Sequence, residues 1–414
     1  MRPPLRDMDR FNPRRGAVVP FLLVSLTVFL LLLSLAVNAS WIWSVHEDIK
    51  TATDAAAFAA GASLADDDML RGDTSLYPAL MGRVANSAIF LANANLVRAR
   101  PFELRDNLTN DAHGDIVLGV VTLPLARDFV PVPGRDQVSV QQALMNTVVI
   151  HGRQTRARHN APPLVFGVLA GRPYQDVQAV SAVTLDHGVR GFAARFGPIP
   201  LAPIALSADG GVQSWPSQVE QGNGPDILTH DSNTNAFGAG PDQIREFPAV
   251  YATDASQVAN ANVAFMLLPS ADTSRLASQL DSGITAADLT AYQGKFVLPD
   301  TGTKDIAGQQ VGPAGGDPVI QGVAAALDRL RASGAVRAWP LYSAYDSMNN
   351  VVHISGFVAA RVANVTTPAA GQPLSFTLQA TMMVAPSAVT DTDLNGAFAT
   401  RNDNRYLCRL RRIE

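Results

Sequence analysis

The stretch AVVPFLLVSLTVFLLLLSLAV, Ala17 to Val37, decides the architecture. It carries no charge, and about 20 apolar residues in a helix cross the hydrocarbon core of a bilayer. Pro20 falls in the first turns, where its missing N–H costs little. Trp41 and Trp43 follow, where amphipathic rings settle at a membrane–water interface. Arg2, Arg6, Arg10, Arg14 and Arg15 precede the run; Glu47 and Asp48 follow it, with Lys50 the nearest cation. The positive-inside bias then holds residues 1–16 in the cytoplasm and exports everything after about residue 43, which places the chain in an inner (cytoplasmic) membrane. A cleaved signal sequence would have a shorter apolar region, about 7–15 residues, ending in a small-x-small site. This run is longer and Val37-Asn38-Ala39 is a poor site, so residues 17–43 read as an uncleaved transmembrane helix.

Residues 49–65, IKTATDAAAFAAGASLA, continue the helix past the membrane. Alanine is the best helix former, no proline occurs from Ser44 to Ala65, and Gly61 is the only glycine there. Asp66-Asp67-Asp68 and Arg71-Gly72-Asp73 end it, giving a juxtamembrane helix over 44–68. From Pro20 to Leu64 the rod would be about 65 Å long. Ala52, Ala56 and Ala60 recur every four residues, as do Ala55 and Ala59. Small side chains let backbones approach closely, so these five residues form a predicted helix-packing face; the alternative is a stiff stalk.

A chain of 414 residues has room for two or three domains. Its residues are 47% hydrophobic and only 16% charged, below the usual quarter or so, with 31 Gly and 27 Pro, which favours β-structure and turns over helical bundles. The net charge of −4 argues against a nucleic-acid partner. Cys408, the single cysteine, excludes an internal disulfide, and its place in YLCRLRRI predicts a buried strand position. SAIFLANANL, DIVLGVVTL, MNTVVIHGR, PLVFGVLAG, DVQAVSAVTL and PIPLAPIAL read as strands of a β-rich domain over 86–208. Residues 209–245 read as a linker or long loop. Over 246–414 the pattern is α+β: strands at REFPAVYAT, VAFMLLP, VVHISGFVAARV, LSFTLQATMMV and YLCRLRRI, a short helix at ITAADLTAYQG, and a helix opened by Asp317-Pro318 and closed by Gly334. The fold class is α+β, with mainly antiparallel sheets behind an N-terminal transmembrane helix.

Signatures of chemistry are sparse. His46, His113, His151, His159, His187, His230 and His353 fall in no H-E-x-x-H pattern, and one cysteine allows no zinc finger. Gly312-Pro313-Ala314-Gly315-Gly316 lacks the strand, Lys and helix that a phosphate site requires. Asp300-Thr301-Gly302-Thr303 has the look of an aspartic-protease turn, but that chemistry needs two carboxylates sharing a proton. The chain has no second D-T-G or D-S-G, so an ordinary turn is the reading. Asp391, Asp393 and Asn395, with Gly396, follow the first half of a calcium loop; position 12 is Asn402 instead of Glu, and a hairpin turn is the competing reading. Arg153, Arg156, Arg158 and His159 form a basic patch suited to anionic polymers or lipid headgroups, or to solvent.

The N-terminal residues resemble the Flp pilus-assembly TadE/TadG-like family of bacterial envelope proteins. The matching positions are Arg14, Arg15, Gly16 and Ala17 before the span, and Thr53, Asp54, Ala55, Ala56, Ala57 and Ala60 after it, within residues 10–65. The resemblance implies a single-pass anchored protein, non-enzymatic and without cofactor. Its partners would be the membrane and other pilus-assembly or envelope proteins, homo-oligomers included. Larger members carry a metal-binding D-x-S-x-S turn; Asp346-Ser347-Met348-Asn349-Asn350 has the wrong spacing, so that property is not carried over. Pilin-type subunits have Glu at the fifth residue after the cleaved Gly; counted from Ala17 this is Phe21. The alternatives to an interaction role are a membrane-tethered hydrolase using Asp300 and a calcium-stabilised adhesin.

Overall fold

The computed structural model describes residues 18–122, 128–167, 171–195, 197–269, 273–300, 302–394 and 405–413. Residues 1–17, with their arginines and the Gly16–Ala17 bond, lie outside this set, as do Thr301, Asn395 and Asn402.

One helix, α1, runs unbroken from Val18 to Leu64. Its 47 residues make it about 70 Å long. It is long and apolar enough to cross a membrane, and its most apolar stretch is uncovered by the rest of the chain. Asp66 stops it: its backbone N–H turns back to the Leu64 carbonyl, and its carboxylate accepts from the Asp68 N–H at 2.9 Å. A second helix, α2, returns alongside from Tyr77 to Ala94 with Pro78 in its first turn. The segment SAIFLANANL, expected as a strand, is helical from Ser87 to Ala94, the second half of α2, and only Leu96 at its end is in a strand. Burial of Leu80, Met81, Val84, Ala85, Ala88 and Ala92 shows a helical period that starts before Asn86.

The two helices cover one face of a six-stranded sheet. Its order is Met383–Val384, Leu407–Ile413, Val177–Asp186, Thr147–Gln154, Ile116–Val120, Val130–Pro131. All neighbours are antiparallel except the first pair. Ile49, Ala56, Leu64, Leu80, Val84, Val148, Ile150, Val183 and Cys408 meet in its core.

A second core lies in a seven-stranded sheet ordered Glu246–Tyr251, Leu374–Ala380, Val351–Thr366, Lys304–Gln309, Val263–Met266, Ile204–Ser207, Val336–Asp346. The last strand also pairs with Val351–Thr366, closing five strands into a ring without free edges. Helix α3, Leu276–Ser282, and helix α4, Pro318–Ser333, pack on it. Asp317 caps α4 by accepting from the Val319 N–H at 2.8 Å, and Gly334 leaves it with φ +64°, as Asp-Pro and Gly predict. Three further strands, Lys295–Val297, Val189–Ala193 and Ala388–Thr390, form a bridging sheet.

The cores do not follow the expected boundaries. Ile204–Ser207, assigned by sequence to the first domain, sits in the second sheet, while Leu407–Ile413 crosses back to the first. Within 209–245, Trp215 is fully buried against Phe247 and Tyr406, and Leu228–Asp231 pairs with Ala236–Ala239. Non-local pairing is invisible to local pattern. In PLVFGVLAG the described residues 163–167 form turns instead of a strand, and 168–170 lie outside the described residues; ITAADLTAYQG forms two short turns, over 285–289 and at Thr290–Tyr292, instead of a regular helix.

Asp67 ties the two lobes together. Its carboxylate accepts from Thr381 Oγ1 at 2.7 Å, from the Met382 N–H at 2.9 Å and from Arg361 Nη1 at 2.5 Å. Asp66 and Asp68 both hold Arg83 of α2. The acidic run that ends α1 is therefore a junction between the helices and the second sheet.

Candidate interaction site on the docked helix

α1 is two helices in one. From Val18 to Leu33 every side chain is exposed. Partial burial begins at Ser34 and continues through Val37, Asn38, Trp41 and Ile42. Full burial follows at Val45, Ile49, Ala52, Thr53, Ala56, Ala57, Ala60, Gly61 and Leu64. Steps of three and four place these on one stripe. The stripe faces the chain's own sheet and α2, so the Ala-rich segment is not a free stalk.

Small residues make this docking close. A Cβ on Gly61 would stand 2.8 Å from Val183 Cγ1 and 3.1 Å from Leu410 Cδ2. One on Gly152 would stand 2.2 Å from Thr53 Oγ1. Thr53 returns its hydroxyl to the Ile49 carbonyl at 2.7 Å, so its own hydroxyl is not stranded against the sheet. Among the five alanines singled out by period, Ala52, Ala56 and Ala60 are buried, while Ala55 and Ala59 are half-buried. Ser87 of α2 donates to the Ala59 carbonyl at 3.2 Å. Outside the stripe, α1 exposes Phe58 and Ala62, and α2 exposes Phe90, which is 74% accessible.

Asp54 reaches the last strand. Its Oδ2 lies 2.9 Å from Arg412 Nη1. Sequence reading marked Asp54 through the resemblance and missed Arg412, whose signal was only its register in LRRI. Thr53 and Asp54 thus clasp two different strands of one sheet.

The residues considered for other chemistry are held by arginines. Arg190 bonds Asp391 through Nε and the Asp300 carbonyl through Nη1 at 3.3 Å; its Nη2 lies 3.8 Å from Asp300 Oδ1. A guanidinium therefore stands between these two carboxylates where an aspartic-protease pair would share a proton. Asp393 accepts from Arg409 Nη1 at 2.6 Å, Arg411 Nη2 at 2.7 Å and the Thr390 N–H at 3.0 Å. Burial pushes its carboxyl up, but the Thr390 N–H and the two arginines outweigh this and hold it below the ordinary range. Both calcium candidates among the described residues thus already carry cationic partners, and no described cluster of His, Cys, Asp or Glu has metal-site geometry.

The basic patch is likewise paired. Arg158 grips the buried Asp115 with both nitrogens, at 2.5 and 2.6 Å, Arg153 lies 3.5 Å from the same carboxylate, and Arg156 meets Asp176 at 3.3 Å. His159 occupies a left-handed turn position beside it. Burial and Arg153 lower the proton affinity of His151; burial and Arg361 do the same for His230. His353 pairs with Asp305 at 2.7 Å on an exposed strand. Cys408 is fully buried in the last strand, and burial pushes its thiol up to about 12.

No curated protein and no solved structure matches the chain. Residues 16–63, which coincide with α1 to within a residue or two at each end, match the family model described as putative Flp pilus-assembly TadE/G-like, and this similarity supports a pilus-assembly-associated role.

Proposed function

We propose that the protein is a single-pass envelope component of pilus assembly that acts by binding rather than catalysis. Its N-terminus lies in the cytoplasm and both lobes lie across the inner membrane. The observation that carries this reading is the division of the family-matched helix: an uncovered apolar half and a half built into the core of the first lobe. A partner that grips the lobe is then coupled mechanically to the span, because no flexible linker separates them.

The partner-binding face we assign is the outward side of α1 and α2, with Phe58, Ala62 and Phe90 exposed. Aromatic anchors surrounded by small residues suit protein association, with other envelope proteins or with a second copy. Crosslinking from intact membranes tests this. Wild type is expected to capture a partner or its own copy, and Phe58→Ser with Phe90→Ser to lose it. Equal capture by both would refute the assigned face. Release of the chain by alkaline carbonate washing would refute the anchor.

A further inference from the structure

The strands Thr147–Gln154 and Val177–Asp186 are joined by an excursion over 155–176. It leaves the sheet at the end where α1 turns apolar. Thr53 lies against Gly152; a few turns back along the helix, Trp41 Nε1 donates to the Pro163 carbonyl at 2.9 Å. Further back, Asn38 Oδ1 accepts from the Phe166 N–H at 3.0 Å. The loop is therefore clamped to α1 one residue beyond Val37, where the apolar run ends.

The described parts of the excursion are hydrogen-bonded to one another. Leu164 N–H donates to the Pro173 carbonyl at 2.9 Å, Arg172 N–H to Gly167 at 2.9 Å and Gln175 N–H to Pro162 at 3.1 Å. Yet it turns apolar groups outward: Val165 is 56% exposed, Phe166 37% and Tyr174 49%, with Arg172 exposed beside them. Leu35 of α1, 67% exposed, lies about 4.5 Å lower along the helix axis than Asn38.

We propose that residues 162–167 and 171–174 of this excursion form a second membrane-contacting element, with Val165 and Phe166 in the interfacial layer of the leaflet that α1 leaves. The inference rests on reading α1 as a span. Any lipid that solvates Leu35 also meets Phe166, because the Asn38 clamp sets both at nearly one height. Valine and phenylalanine gain by leaving water there. Tyr174 suits the headgroup boundary, and Arg172 extends its charge toward phosphate while its stem stays with the apolar layer. Two contacts, a span and a loop, fix the tilt and rotation of the lobe on the membrane, which a single helix cannot do.

The test uses the full chain in phosphatidylethanolamine–phosphatidylglycerol vesicles. Single cysteines at Phe166, Leu26 and Met348 are labelled with an environment-sensitive fluorophore; Cys408 is fully buried and stays unlabelled. Leu26 lies within the apolar run, and Met348, 93% exposed, is a hairpin tip of the second sheet. Nitroxide lipids are expected to quench the labels at Leu26 and Phe166 several-fold more than the label at Met348. Quenching at Leu26 without quenching at Phe166 overturns the loop contact and leaves the span standing. This holds whether the Phe166 label is then open to aqueous iodide or shielded from both quenchers by a protein. Absence of quenching at Leu26 overturns both.

Discussion

Asp54 and Arg412 stand 2.9 Å apart, joining the family-matched helix to the last strand of the sheet it covers. Asp54 Oδ1 is buried without a partner of its own, so this one contact carries the carboxylate. Both side chains are partly exposed, which limits the pair's value to about 0.5–1 kcal/mol. A double-mutant cycle with Asp54→Ala and Arg412→Ala, followed by chemical denaturation, is expected to return a coupling of that size. A coupling of zero would mean that the pair does not help to dock the helix.

Gly61 offers a larger effect. A Cβ at this position would meet Val183 Cγ1 at 2.8 Å, so Gly61→Val forces α1 off the sheet. Overpacking of this kind costs about 1–3 kcal/mol. Shortening the opposing residue, Val183→Ala, is expected to restore part of the loss. Non-additive recovery in the melting temperature is the readout.

Ala56 and Phe58 separate the two sides of the helix. Ala56 is fully buried, so Ala56→Leu is expected to cost a similar 1–3 kcal/mol or so in unfolding. Phe58→Ser, on the open side, is expected to stay within about 0.5 kcal/mol of wild type while reducing partner crosslinking.

Cys408 reports the integrity of the first core. Its thiol is pushed up to about 12 by burial, so at neutral pH it is expected to resist a thiol reagent in the native chain and to react fully in denaturant. Native-state reaction at the rate of a free cysteine would contradict the packing of the last strand beneath α1.

The Asp393 cluster sets a pH dependence. Its folded carboxyl titrates below the ordinary aspartate value of 3.8, so its contribution is present above that value and is lost as pH falls through the lower folded one. Asp393→Asn should flatten the acid limb of the stability profile. It should leave the effect of a calcium chelator at zero in both forms, since Arg409 and Arg411 occupy the carboxylate.

Much of this was legible in sequence because the signals are local. The uncharged run gives α1 its apolar half, alanine its helicity, and Asp317, Pro318 and Gly334 both ends of α4. Short apolar runs bounded by turn residues located the strands Thr147–Gln154 and Val177–Asp186, and alternation around Cys408 located Leu407–Ile413. Most of the failures come from contacts between residues remote in sequence. Leu407–Ile413 rejoins the first sheet from the far end of the sequence, and Trp215 is buried by residues remote from it. SAIFLANANL is helical because its period is set by the residues before it. PLVFGVLAG is apolar enough for a strand, but Asn38 and Trp41 hold its described first half, at Pro163 and Phe166, out of the sheet. Of the small residues singled out by period, Ala52, Ala56 and Ala60 are buried and Ala55 and Ala59 half-buried, and the surface beneath them, a sheet of the same chain, depended on Gly152 and Val183 being brought there.

The central claim is that one helix is both anchor and core. Hydrogen exchange on the full chain in lipid nanodiscs tests it most directly. Amides of residues 45–64 are expected to exchange as slowly as those of the strand Thr147–Gln154, with residues 20–37 protected by lipid. Exchange in 45–64 at the rate of an isolated solvent-exposed helix, orders of magnitude faster than that strand, would contradict the account.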